Sequence, residues 1–393
     1  MLSIFLPDNQ ALYIYTMAAT PALRTIPQIV PFLTADESAS VLQTLEDGWI
    51  TEGPRSAAFV EALKQTIQVP YGVLAPNGTL ALALGLMALG IGPGDEVIIP
   101  DITFIGSANA VLMVGATPVL VDVEPDTFQI DPTQLEHCLT YKTRAIMPVH
   151  LYGTACDMDP ILALARRHGL LVIEDAAQGI GVCYKGKPVG GLGDVGCFSF
   201  FADKTITTGE GGFVACRDEH TYRQLLLLRN QGRLNRGSFV HPAIGYNFRM
   251  TDMQAAVGLA QIKKLDWIIQ RKQELWATYV SGLQDVRQVR ILGAASHSTH
   301  VPFRCVLMAQ EATQLQAHLE QAGVQIRSFF YPLHRQPCFG VSASEISPVR
   351  SFGNNAYPVG DSGFSQGLCL PIYPTLTDDD VHYIVDLIVA FYS

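Results

Sequence analysis

The stretch SFFADKTITTGEGG, residues 199–212, places one lysine, Lys204, between an apolar Ser-Phe-Phe run and a glycine-bearing turn. Only 16% of the chain is charged, so an ammonium group at this point calls for a reason. A lysine in a partly desolvated pocket is less basic than in water, and its free amine can form a Schiff base with a carbonyl. A single loop lysine is more often solvated surface, and the chemical reading therefore depends on partners.

Asp175 is the first partner. It ends the apolar strand pattern in VIEDAAQG, where a carboxylate can be held against a cation. Pyridoxal phosphate needs such an acid at its ring nitrogen, to keep the pyridinium charged as an electron sink. The plainer role for Asp175 is the cap of a following helix. Gln178 could hydrogen-bond the cofactor's phenolic oxygen or be an ordinary helix-surface amide. A phosphate requires backbone N–H groups at a helix start together with hydroxyl donors. Gly78 and Thr79 in PNGTLALAL supply these, and Ser199 beside the lysine adds a hydroxyl. Phe104 in PDITF could stack on a ring or belong to the core. Each plain reading is sensible alone, but an amine, a strand-end acid, a phosphate cradle and an aromatic platform together point to one cofactor site.

The elements that would position these residues follow from periodicity. DEVIIP, GATPVLVDV, AIMPVHLYG and LLVIEDAA read as strands; NGTLALALGLMALG and MDPILALARRHG read as helices. Strands apolar on both faces, alternating with helices, predict a largely parallel sheet covered on each side, with ligands at the strand ends. MTDMQAAVGLAQIKKLDWIIQRKQELWATYVSGL, residues 250–283, reads as one long bridging helix. Beyond it VPFRCVLM and VQIRSFFYP read as strands, and TDDD opens a last helix with a capping-box spacing from Thr377 to Asp380.

The bulk composition narrows the function. At 393 residues the chain suits a large domain and a smaller one. Hydrophobic residues make up 48%, and the formal charge of -10, with no basic run, argues against a nucleic-acid partner. No stretch is apolar for long enough to span a bilayer, so no membrane partner is expected. The eight cysteines form no C-x-x-C pair, so neither a metal site nor a disulfide framework is expected, and a cytoplasmic location fits. The first 16 residues do not read as a signal peptide.

From about residue 26 onward the chain resembles the nucleotide-sugar aminotransferases of the DegT family, pyridoxal-phosphate enzymes of fold type I. The resemblance is carried by GWITEGP, NGTLALALGLMALGIGPGDEVIIP, PVHLYGTACDMDPI, IEDAAQ, GDVGCFSFFADKTITTGEGG, IGYNFRMTDMQAAVGLAQI, FFYPLHRQP and CLPIYPTLTDDDV, in that order. It implies an α/β fold in which a large domain with a mostly parallel sheet flanked by helices is joined to a smaller α+β C-terminal domain. The expected division is a tail over 1–25, a cofactor-binding domain over 26–265, and a bridging helix with the small domain over 266–393.

The resemblance also implies roles. Lys204 would bond pyridoxal 5'-phosphate, Asp175 would pair with its ring nitrogen and Gln178 would contact its phenolic oxygen. Gly78, Thr79 and Ser199 would hold the phosphate, with Phe104 stacked on the ring. Asn247 would reach the phosphate from the other subunit of a homodimer whose sites are shared. L-glutamate would donate the amine and a nucleotide sugar would accept it, with Arg249, Arg327 and His334 as candidates for anionic substrate groups. FFADKTITTGEGG and RSFFYPLHRQP are most similar to members that aminate a 4-keto-6-deoxyhexose. Two departures stand out: Gln178 replaces the His or Glu of many relatives, and STHVPFRCVLM is not the aromatic-rich strand expected there. A non-catalytic protein that keeps the cofactor as a sensor is the rival from another class.

Overall fold

Apolar runs bounded by turn residues become the strands of the central sheet. The computed structural model describes residues 24–233, 237, 239–339, 348–352 and 356–393, so the expected tail over 1–25 lies outside it except for Arg24 and Thr25. Two helices, α1 (Ala35–Glu46) and α2 (Pro54–Ile67), precede the sheet. Its strands are β1 (Tyr71–Ala75), β2 (Glu96–Pro100), β3 (Thr117–Val121), β4 (Thr143–Ile146) and β5 (Leu171–Asp175). After a short hairpin of β6 (Cys183–Tyr184) and β7 (Lys187–Pro188) come β8 (Val195–Ser199) and β9 (Gly212–Cys216). The order is β1-β9-β8-β5-β4-β2-β3. Only β9 runs against its neighbours; the other pairings are parallel.

Helices cover both faces: α3 (Gly78–Ala88), α4 (Gly106–Met113), α5 (Met158–His168) and α6 (Glu219–Arg229). Seven of the eleven residues of α3 are buried and none is exposed, which explains why it is apolar all round instead of amphipathic. The amino end of α2 is capped from a distance. Asp252 accepts the N–H groups of Gly53, Arg55 and Ser56, at 2.7, 3.0 and 2.8 Å.

The long helix expected over 250–283 is two helices, α7 (Asp252–Ile262) and α8 (Leu265–Leu283). No glycine or proline marks the break. It falls at Lys263 and Lys264, where the Lys264 amine is drawn to the buried carboxylate of Glu37, 2.7 Å away, so a tertiary ion pair overrides helical periodicity.

The second sheet comprises β10 (Val289–Ile291), β11 (Cys305–Ala309), β12 (Arg327–Ser328) and β13 (Gly367–Leu370), antiparallel in the order β10-β11-β13-β12. Three helices accompany it: α9 (Ala312–Gln321), α10 (Pro358–Gln366) and α11 (Asp378–Tyr392), the last opened by the Thr377–Asp380 capping box. The strand expected through VQIRSFFYP is only the two residues of β12. Phe329 and Phe330 leave it to pack on Tyr152, with ring centroids 5.2 and 5.6 Å away. Among the described residues no helix is long and apolar enough to cross a membrane.

Candidate active site

A parallel sheet leaves its strand ends open to ligands on one side, and here the loops after β1, β2, β5 and β8 meet there. They enclose a cavity of about 800 Å³ lined by, among others, Gly78, Thr79, Phe104, Asp175, Gln178 and Lys204. Ser199 and Arg327 line it as well.

Asp175, at the end of β5, is 5% exposed and does not cap a helix. Ser107 Oγ donates to its Oδ2 at 2.7 Å, and the Ala177 N–H donates to Oδ1 at 3.1 Å. The Asp175 N–H donates to Pro148 O at 2.9 Å. Burial pushes its pKa up, against the pull of Ser107, the Ala177 N–H and the charges of Lys204 and His150. Among the described residues it makes no ion pair. A buried carboxylate in that position is suited to a cation brought by a ligand.

Lys204 lies in the turn between β8 and β9, with Nζ 4.7 Å from the centroid of the Phe303 ring. Burial drives its pKa below the ordinary lysine value; Asp203 and Asp175 oppose this, and Arg304 adds to it. The amine therefore holds its proton less tightly than a surface lysine.

The helix α3 opens toward the cavity. Asn77 caps it by accepting from the Leu80 N–H at 2.9 Å, while the Gly78 and Thr79 N–H groups take no hydrogen bond within the described residues. A Cβ at Gly78 would lie 2.7 Å from the Ser199 Cβ, so glycine is what lets the serine hydroxyl stand beside the helix start. Two open N–H groups and a hydroxyl make an anion cradle.

Gln178 is buried and does not lie on a helix. Its Oε1 accepts the Tyr152 N–H at 2.7 Å, which leaves its Nε2 donors for the cavity. Phe104 is 60% exposed and is thus no core residue; its ring makes an edge contact with Phe330 at 6.5 Å.

Three of the expected site residues lie outside the lining of this cavity. His334 is a correction. Its side chain is fully buried, with Nδ1 2.8 Å from Asp101 Oδ2, its peptide N–H donating to Asp101 Oδ1 and its ring stacked on Tyr357. It ties the segment after β12 to the end of β2 and does not reach the cavity. Arg249 donates from Nη1 to Asn230 at 2.9 Å, outside the cavity lining. Asn247 is exposed and pairs by a backbone bridge with Asn230.

Other cavity residues were not singled out from the sequence. Tyr152 has a left-handed backbone, φ 56°, next to Gly153 at φ 85°. Asp203 and Arg304 form an ion pair at 2.5 Å on the cavity wall. A charge inside the apolar pattern VPFRCVLM was the available signal for Arg304.

The sequence profile of the DegT/DnrJ/EryC1/StrS aminotransferase family matches residues 31–389. The chain belongs to this family. It is 38% identical to the GDP-perosamine synthase of Escherichia coli O157:H7 over 373 residues, which is 94% of this chain and 100% of the relative. It is 39% identical to the GDP-perosamine synthase of Caulobacter vibrioides over 362 residues, 90% and 95% of the two chains. Among solved structures, S. venezuelae DesV in complex with a ketimine intermediate is similar at a TM-score of 0.85 and 34% identity, over 91% of this chain and 95% of that one. An aminotransferase from Psychrobacter cryohalolentis is similar at 0.86 and 30%, over 92% and 98%. The protein is an aminotransferase, and its α/β architecture is similar to that of these solved structures.

Proposed function

We propose that this family member uses pyridoxal phosphate to move an amino group from L-glutamate to a nucleotide-linked 4-keto-6-deoxyhexose; its similarity to the GDP-perosamine synthases supports a GDP-perosamine-type product. The observation that carries the reading is that Lys204 and Asp175, both drawn toward their neutral forms by burial, share one cavity with the anion cradle at Gly78, Thr79 and Ser199.

The cradle would hold the cofactor's phosphate, Asp175 its ring nitrogen and Gln178 its phenolic oxygen, with Phe104 against the ring. When bound, the cofactor supplies the electron sink that makes the α-proton of an amino acid acidic. Lys204 Nζ, less basic than a surface amine, would take that proton from the donor's Cα and pass one to the cofactor's C4′, and would carry a proton in the reverse direction when the acceptor sugar is bound. Asp175, kept in place by Ser107 and the Ala177 N–H, sustains the positive charge on the ring. Donor and acceptor occupy the same cavity in turn, which makes the kinetics ping-pong.

The working unit is a homodimer. Asn247 lies outside the cavity of its own chain and follows in sequence Phe239 and Ile244, which are 88% and 84% exposed. Large apolar side chains so exposed suit a subunit interface, from which Asn247 would reach the partner's phosphate.

The test is product analysis with L-glutamate and GDP-, UDP- and dTDP-linked 3-keto and 4-keto sugars. The expected result is a 4-amino sugar on GDP. Amination of only 3-keto sugars, or of none, would overturn the substrate assignment.

A further inference from the structure

Arg304 takes no part in the cofactor contacts above, yet its guanidinium lines the cavity with only 6% of the side chain exposed. Nη1 donates to Gln28 Oε1 at 2.8 Å, and Nη2 donates to Asp203 Oδ2 at 2.5 Å. The same Oδ2 meets Arg327 Nη1 at 3.5 Å, while Asp203 Oδ1 is buried without a hydrogen-bond partner among the described residues. Two guanidinium groups therefore share a single carboxylate oxygen, and the buried Arg304 has Asp203 as a partner that it divides with the half-exposed Arg327.

The fold fixes this arrangement. β13 lies between β11 and β12, and Cys369 on β13 is paired with Val306 on one side and Arg327 on the other, so Arg304, immediately before β11, and Arg327 on β12 arrive from opposite sides of β13. The segment leading to β11 is anchored to the large sheet's loop by Val301 N–H to Gly153 O at 2.9 Å and Phe303 N–H to Tyr152 O at 3.3 Å. The Phe303 ring sets the depth: Arg304 Cζ is 4.6 Å from its centroid and Lys204 Nζ is 4.7 Å. A group bound at Arg304 is consequently held beside the Lys204 amine.

We propose that Arg304 receives a carboxylate of the amino donor, and that Asp203 is the built-in counterion occupying Arg304 until the donor arrives. The inference rests on the aminotransferase reading and adds a residue to it. A guanidinium offers parallel N–H donors to both oxygens of a carboxylate, and here Asp203 uses one oxygen only. The small exposure of Arg304 admits a carboxylate; a sugar diphosphate carries bulk on both sides of its charge and suits the half-exposed Arg327 better. When the donor binds, Asp203 keeps Arg327 and leaves Arg304.

The test uses cofactor-loaded protein titrated with glutarate, a dicarboxylate that cannot react, and separately with GDP. Arg304→Met should weaken glutarate roughly tenfold to hundredfold, the range for losing a charged hydrogen bond, with GDP affinity unchanged. Intact GDP binding also reports that the variant is folded. If Arg304→Met does not fold, Arg304→Lys is the variant to use. It keeps the charge but loses the fork, and should likewise weaken glutarate. Asp203→Asn removes the competing carboxylate and should tighten glutarate. Unchanged glutarate binding in the Arg304 variants, or loss of GDP instead, would overturn the assignment, and unchanged or weaker glutarate binding in Asp203→Asn would overturn the counterion role. A wild type whose bound cofactor does not respond to L-glutamate would overturn the functional reading and this inference with it, whereas a responsive wild type with unaffected variants overturns the inference alone.

Discussion

Gln178 Oε1 accepts the peptide N–H of Tyr152 at 2.7 Å, and Tyr152 is the non-glycine residue whose backbone turns left-handed at the cavity wall. The side chain thus satisfies a buried donor at a strained position while the residue lines the cavity. Gln178→Leu should lower unfolding stability by about 1–3 kcal/mol, since the Tyr152 N–H would be left unpaired. Gln178→Glu keeps the acceptor and should lose less. Urea unfolding of the two variants measures the difference; equal losses would remove the role of Oε1.

Asp175→Asn preserves the shape of the group held by Ser107 and removes its charge. Turnover should fall roughly a hundredfold or more, the scale for removing one preorganised electrostatic contact, while the melting temperature changes little. Normal turnover would reduce Asp175 to a structural role.

At Gly78 the limit is space. Gly78→Ala puts a methyl group 2.7 Å from the Ser199 Cβ, so the helix start or the serine must move, at a cost of about 1–3 kcal/mol. Ser199→Gly in the same chain removes the obstructing atom and should recover part of that loss. The thermodynamic cycle of the two substitutions measures the coupling; strict additivity would show that the two residues do not contact each other.

Acid should expose the ion pair that breaks the long helix. Burial raises the pKa of Glu37, but Lys264, Gln261 and the Thr34 N–H outweigh it and bring it down to about 2. A carboxylate lowered in the folded state contributes stability above its unfolded pKa and loses it as the pH falls from about 4.5 toward 2. The contribution is on the order of 2 kcal/mol. Glu37→Gln should lose it at neutral pH and flatten the stability curve across that acid range. Denaturant midpoints measured over the range check the sign.

Site sharing is tested by mixing two inactive variants, Lys204→Ala and Asn247→Ala. If Asn247 serves the partner's site, a mixed dimer contains one site with both residues intact and recovers activity. If it serves its own chain, every site keeps one defect and no activity returns.

The strands and helices with clear periodicity were legible in the sequence, because apolar runs and caps are local signals. DEVIIP and the Thr377–Asp380 capping box appear where their patterns place them. The break at Lys264 was not legible, since its cause is Glu37, far away in the chain. Lys204, Asp175 and Gly78, singled out from motifs at strand ends, line one cavity in the fold. His334 was a candidate for an anionic substrate group; the fold pairs it with Asp101, far away in the chain. Arg304 and Tyr152 escaped because their meaning comes from the second sheet docking on the first.

The most direct measurement loads the protein with pyridoxal phosphate, reduces it with borohydride and maps the modified peptide by mass spectrometry. The expected result is one cofactor mass added at Lys204 and none in Lys204→Ala. Modification of another lysine, or no stable adduct in the wild type, would contradict the placement of the chemistry at Lys204.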